Sequence, residues 1–504
     1  MKIKVIERSA DAHLPQVAGQ QQPRQRNLDP ALHPFARPRE YNRAVTAAKL
    51  DRMFAKPFVD ALDGHTDGVY CMARDPKSLG CVASGGGDGQ VCVWSLSRRE
   101  RVLDLPKAHK SMVTDVCFAN EAGRASAEAG PSRQSKKGYS AGGEEVEEAV
   151  ELGDQESGVR QTSRILSCST DKTVKLWSSF ANEEEQGARP KPLQTFTGRL
   201  GFNSIAHHRS EPVFATASDQ VHIWDETKTE PISALSFTSL PSHRSSAKDN
   251  YSGEHLLSVR FNQSETSVLA ASGSDRSITL FDLRANSATA RTILKMRVNQ
   301  LSFNPMQPPV LLAACEDENL YTFDIRNLSQ ATQVYKGHVG PVMGCDWSPT
   351  GRDFVSGSYD KTVRLWKMGE GKSRDVYHTK RMQRIFSSLY TLDSRFVLSG
   401  SDDGNLRIWK SNASASIGHT STRELARRQY RDSLREKWGD VGEVSKIERQ
   451  RYLPKELYAA GKTKRETLGR LQRKEDNRRA HAPKGQELQK PKSERKKGIV
   501  RTEE

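Results

Sequence analysis

Short runs in which apolar and polar residues alternate recur along this chain, and each ends on an aromatic. They are "VCVW" at Trp94, "VKLW" at Trp177, "VHIW" at Trp224, "ITLF" at Phe281, "LYTF" at Phe323, "VRLW" at Trp366 and "LRIW" at Trp409. Period-two alternation is what a strand shows when its faces meet different surroundings. The ends lie 83, 47, 57, 42, 43 and 43 residues apart. A repeat of about 40 to 45 residues with four strands per unit is a propeller blade. The pattern predicts an all-β, seven-bladed β-propeller over residues 57–411. The long first interval holds a break in the strand pattern at 119–163, where "AGGEEVEEAVELGDQESG" carries seven acidic and no basic residues. That composition predicts a disordered insertion within blade two.

An Asp precedes the aromatic by six residues in six units, at Asp88, Asp171, Asp275, Asp317, Asp360 and Asp403; Asp219 lies five before Trp224. A carboxylate there can accept backbone N–H groups and fix a hairpin. Three units add a His and a Ser: His65, Ser84, Asp88, Trp94; His109, Ser167, Asp171, Trp177; and His338, Ser356, Asp360, Trp366. His, Ser and Asp together suggest a hydrolase, but a triad is needed once and a hydrogen-bond chain in every blade, so the sets are read as structural. The last unit is followed by no good fourth strand, and "PFVDAL" at 57–62 is expected to supply it and close the ring.

Other chemistry falls away on spacing. "GKS" at 371–373 and "GKT" at 461–463 lack the first Gly of a phosphate loop, "SGGGDG" at 84–89 opens no helix, and His207-His208 has no metal-ligand companion at useful spacing. Seven Cys stand singly, mostly in apolar runs, as buried reduced thiols do. The expectation is a non-enzyme with no cofactor, metal or small-molecule substrate. No apolar run approaches the ~18 residues of a membrane helix, so no membrane role is expected.

The formal charge of +16 changes the picture, because most of it lies in one place. From Ser421 to Glu504 there are 25 Lys and Arg against 14 Asp and Glu. "STRELARRQYRDSLREKWG" opens with a capping box, Ser421 to Glu424, and sets Leu425, Tyr430, Leu434 and Trp438 near one helical face. A second helical pattern breaks at Pro454, and a third, "KRETLGRLQRKEDNRRA", is strongly basic. The expected organisation is an N-terminal extension (1–56), the propeller (57–411), a basic, mainly α-helical domain (412–480) and a disordered basic tail (481–504). Two readings stay open: solvated helices packed under the propeller, or helices lying across an RNA or a ribonucleoprotein. Charge at this density favours phosphate contact, while the interleaved Tyr and Trp suit packing on protein as well as on bases.

The Gly-His pairs at 64–65 and 337–338, with Trp-ended units, resemble the WD-repeat family; blades three to five depart from it. "RNLDPALHPFARPREYNRAVTAAKLDRMFAKPF", "YHTKRMQRIF" and "RYLPKELY" add a more specific resemblance, to the Sof family of WD-repeat proteins. That resemblance implies a nucleolar, non-catalytic scaffold of the small-subunit processome and U3 small nucleolar ribonucleoprotein. Its partners would be small-subunit precursor rRNA, U3 RNA and other processome proteins. Candidate contacts are Lys380, Arg381, Arg384, Arg427, Arg428, Arg431, Arg435, Arg449, Arg451 and Lys455. A rival reading rests on "FDLR" at 281–284 and "FDIR" at 323–326, which resemble the motif by which WD-repeat substrate receptors dock on the adaptor of cullin-four ubiquitin ligases, with Arg284 and Arg326 as docking residues.

Overall fold

The computed structural model describes residues 34–119, 164–178, 191–236, 255–418, 420–482 and 492–503. Among these, seven antiparallel sheets form a seven-bladed propeller. Blade six shows the plan: Val342–Trp347, Asp353–Ser358, Val363–Lys367 and Asp375–Tyr377 pair in sequence order. The innermost strand of blade one, Val69–Arg74, packs beside those of blades two and seven, so the ring is closed. Its closing strand is Phe58–Asp63, which pairs antiparallel with Asn405–Lys410 of blade seven, as the sequence predicts. Apolar side chains fill the spaces between blades, and Trp94, Trp224, Trp366 and Trp409 are all fully buried.

The hairpin before the aromatic strand has the same backbone form in six of the seven blades. The residue after the recurring Asp takes a left-handed conformation at Gly89, Lys172, Arg276, Glu318, Lys361 and Gly404 (φ +63° to +78°). Gly adopts this without penalty, whereas a side chain costs about 1–2 kcal/mol there. The Asp compensates by accepting the N–H two residues on, as Asp171 does from Thr173 (2.9 Å) and Asp360 from Thr362 (3.0 Å). Blade three, with its shorter turn, lacks this step.

Contacts divide the chain differently from the expected 1–56, 57–411, 412–480 and 481–504. One unit joins residues up to Ala55 with Ser416–Gln450, and the other joins Lys56–Ala415 with Arg451–Glu504. In the first, helix α1 (Ala36–Met53) packs on α2 (Thr422–Trp438) and α3 (Gly442–Glu448) through Ala44, Val45, Ala48, Leu434 and Val444. The reason is composition: α1 presents a small-residue face that lets the other helices approach. Ser421 caps α2 as its sequence signals, accepting from the Glu424 N–H (3.3 Å). Leu425 and Tyr430 are about half exposed, so only Leu434 and Trp438 of the expected face enter the core.

In the second unit, the second and third basic patterns merge, since α4 runs unbroken over Lys455–Ala480 from Pro454 as N-cap. The tail expected to be disordered holds a short helix, α5 (Glu494–Lys497), and a strand, Ile499–Glu503, that joins the outer edge of blade four beside Ser287–Leu294. Ile499 is buried in the core cluster of blades four and five, and that apolar anchor is what a charge-based reading of the tail overlooks. The acidic insertion, beyond Ala119 at the end of its strand, lies outside the described residues.

Candidate functional site

The His–Ser–Asp–Trp sets prove to be internal chains of hydrogen bonds. In blade six the Trp366 indole N–H donates to Ser356 Oγ (2.8 Å), which lies 2.7 Å from His338 Nε2, while His338 Nδ1 lies 2.8 Å from Asp360. Burial pushes His338 below its ordinary pKa against the pull of Asp360. A neutral ring with its proton on Nδ1 then donates to Asp360 and leaves Nε2 to accept from the Ser hydroxyl. Every donor has one acceptor, and Ser356 is fully buried, so its oxygen has no access to a substrate. His109, Ser167, Asp171 and Trp177 repeat this in blade two, with separations of 2.7, 3.0 and 2.9 Å.

Blade one departs from the set: His65 and Trp94 both meet Ser84 at 2.7 Å, but Asp88 turns to the Thr66 hydroxyl (2.6 Å) and backbone. His65 Nδ1 is left buried with no hydrogen-bond partner. Blades four and five replace both ends of the Trp–Ser bond. Where blade six has Ser356 and Trp366, they place Ala271 with Phe281 and Ala313 with Phe323 at the same register. Losing donor and acceptor together leaves nothing unpaired.

The inner strands enclose a channel of about 850 Å³. Two ion pairs that sequence reasoning missed stand in it, Arg260–Asp115 (3.0 Å) and Arg74–Asp346 (2.9 Å). Arg260 also donates to the Ile205 carbonyl, and Arg74 to the Tyr390 carbonyl. Burial raises the Asp346 pKa against Arg74, whereas for Arg260 burial, which lowers the pKa, is more than offset by the charge and hydrogen bond of Asp115 together with its other anionic neighbours, so its pKa rises. These charges satisfy one another across the channel: Arg260 ties blade four to blade two and, through the Ile205 carbonyl, to blade three between them, and Arg74 ties blade one to blade six and, through the Tyr390 carbonyl, to blade seven between them. Isolated charges on strands look like surface residues in sequence, which is why they gave no signal.

The candidate contacts fall into two groups. Arg427 and Arg431 are exposed on α2, but Arg428 pairs with Glu424 (2.7 Å), and Arg435 is held by Asp51 (3.3 Å), Asp432 (3.4 Å) and Glu448 (3.0 Å), which raise its pKa against burial. Arg435 is thus a structural clamp between α1, α2 and α3. Arg449 is exposed just after α3. In the propeller unit, Lys380, Arg381 and Arg384 are exposed on the loop entering blade seven, with Arg384 over the Tyr359 ring (5.4 Å). That loop meets the segment before α4: His378 Nε2 lies 3.2 Å from the Tyr452 carbonyl, and Arg451 donates to the Ser373 carbonyl (3.2 Å). Lys455 is exposed at the start of α4. Arg284 and Arg326 are exposed after equivalent turns in adjacent blades, where Asp282 and Asp324 accept their backbone N–H groups (2.9 and 3.0 Å). The turn explains each Asp and leaves each guanidinium outside.

A model of the Sof1-like domain matches residues 411–499, and the WD domain, G-beta repeat, matches 56–95, 152–178, 329–367 and 378–410. Those four stretches take in the Ser–Trp hairpins of blades one, two, six and seven, which keep that bond. Protein SOF1 of Saccharomyces cerevisiae is 38% identical over 516 residues, covering 100% of this chain and 95% of that protein. The chain belongs to the Sof1 family. DDB1- and CUL4-associated factor 13 is 38% identical in Xenopus tropicalis and 37% in Homo sapiens, each over 96% of both chains. The similarity therefore spans the helical unit and α4 of this family member as well as its propeller.

Proposed function

We propose that this Sof1-family protein is a nucleolar, non-catalytic assembly factor of the small-subunit processome, needed for maturation of small-subunit rRNA from its precursor. The observation that carries the reading is full-length similarity to Protein SOF1, which extends over both flanks and not only over a propeller shared by many functions. The mechanism is binding and positioning. The propeller offers loops and blade edges to neighbouring processome proteins, while exposed cations at Arg427, Arg431, Arg449, Lys455, Lys380, Arg381 and Arg384 contact precursor rRNA or U3 RNA. Arg428, Arg435 and Arg451 act one step back, by holding the segments that present them. Sedimentation of tagged protein from cell extract tests this: the reading expects cosedimentation with precursor particles carrying U3 RNA, and a profile confined to free protein overturns it.

A second reading is favoured by the name of the vertebrate relatives and by the matched exposure of Arg284 and Arg326. On it, the two guanidinium groups dock the propeller on the adaptor of a cullin-four ubiquitin ligase. Recovery of the adaptor with the wild type but not with Arg284→Ala/Arg326→Ala supports it, and equal recovery refutes it.

A further inference from the structure

The innermost strands of six blades carry a β-bulge at their second residue, and the residues set out of register are Tyr70, Thr114, Leu257, Asn299, Met343 and Phe386. A bulge re-aims the side chain it carries. All six side chains line the channel, at the end where these strands begin. Thr114 and Asn299 are spent on the fold, since they donate to the Phe202 and Val342 carbonyls at the entry of the next blade (2.7 and 2.8 Å). The other four are apolar or aromatic and half-buried, so they leave a continuous surface open at the mouth.

Blades one and seven give that surface its chemistry. Tyr70 stacks on Phe386 with ring centroids 4.4 Å apart, and Tyr359 of blade six meets Phe386 edge-on (5.8 Å). A carboxylate flanks each stacked ring. A Cβ added at Gly87 would stand 2.5 Å from Asp67 Oδ2 and 2.9 Å from the Tyr70 ring, and one at Gly68 would stand 3.3 Å from both Asp402 Oδ1 and the Phe386 ring. Burial and the charges of Asp67 and Asp402 raise the Tyr70 pKa. Both Asp residues are exposed, and among the described residues neither forms an ion pair. Arg384, at the entry of blade seven, is turned to the Tyr359 ring instead (5.4 Å).

We infer that this end of the channel docks an arginine side chain of a partner protein, with its guanidinium at Asp67 and Asp402 and its stem on Tyr70 and Phe386. Two carboxylates without a counter-charge attract a cation, and aromatic faces attract one as well. The same carboxylates repel phosphate, so rings that could stack on a base stand beside the wrong charge for RNA. An arginine suits the site better than a lysine, because its planar fork can donate to two carboxylates and lie on a ring, whereas an ammonium is a compact point charge. Half-buried rings with charges at their rim are also the makings of a protein contact. The inference goes beyond the processome reading and does not depend on it, since the mouth is the same whichever assembly the propeller serves.

The test selects random 12-residue peptides, displayed on phage, against purified full-length protein and measures synthetic copies by fluorescence anisotropy. One family of selected peptides is expected to share an arginine. Changing it to citrulline, which keeps the shape and loses the charge, should weaken binding roughly tenfold or more. Asp67→Asn/Asp402→Asn should weaken it as much, and its circular dichroism should match the wild type because an amide oxygen still takes the Gly68 N–H that Asp67 accepts (2.7 Å). Asp63→Asn/Glu100→Gln, on outer strands, is expected to leave the affinity unchanged. Absence of an arginine-sharing family, equal binding by the Asp67→Asn/Asp402→Asn variant, or equal losses in both variants would each overturn the inference. So would a uridine 20-mer that loses affinity on Tyr70→Leu, which would assign the rings to RNA. The processome reading fails separately, when the wild type does not sediment with precursor particles.

Discussion

Replacing Ser356 with Ala removes one atom from blade six and strands two partners. Its Oγ accepts the Trp366 indole N–H and donates to His338 Nε2, and all three residues are buried. A buried polar group left unpaired costs about 1–3 kcal/mol, so Ser356→Ala should destabilise the propeller by about 2–5 kcal/mol. Trp366→Phe removes only the donor and should cost about 1–3 kcal/mol, including lost ring area. The double variant recreates the pairing of blades four and five, Ala with Phe. It should therefore cost less than the sum of the two by about 1 kcal/mol or more, because the stranded indole N–H is gone. Urea denaturation followed by fluorescence of the remaining Trp residues measures the cycle. Additivity within about 0.5 kcal/mol, the range expected of independent sites, would refute the account of the chain as a coupled network.

Other expectations follow from the same geometry. His65, His109 and His338 have lowered pKa values in the fold, with burial the main cause, so the unfolded chain binds more protons once pH drops below the ordinary value of 6.5. Their contribution is full above that pH and is lost as pH falls toward their folded values; thermal unfolding from pH 7.5 to 5 should show the decline, and a flat profile would contradict it. Lys172→Gly and Lys361→Gly should each stabilise by about 0.5–1 kcal/mol, since both replace a side chain at positive φ. Truncation after Lys492 removes the strand Ile499–Glu503, and amide exchange should then quicken across 287–294, whereas unchanged protection would show that the added strand does not hold that edge. Leu434→Ala should loosen α1 from α2 and α3 at a cost of about 2–5 kcal/mol, read as faster exchange in 36–53 with the propeller unaffected.

The repeat made the propeller legible, because each blade must solve the same burial problem and does so with the same Asp turn and aromatic strand. Ring closure by 58–63 was readable for a similar reason: a propeller with three strands in its last blade leaves an open edge. The channel ion pairs were not readable, since nothing along the chain tells Arg74 that its partner is Asp346, 272 positions on. Charge alone also misjudged the C-terminal region. Arg435 belongs to a clamp, and Ile499 anchors a tail whose composition suggests no structure.

The central claim, that this chain works as an RNA-particle scaffold, is tested most directly by crosslinking it to RNA in living cells, sequencing the attached fragments and mapping the crosslinked peptides. The account predicts fragments of small-subunit precursor rRNA or U3 RNA, attached through residues 420–482. No enriched RNA, with the ligase adaptor recovered instead, would contradict it and move the main function to the face bearing Arg284 and Arg326.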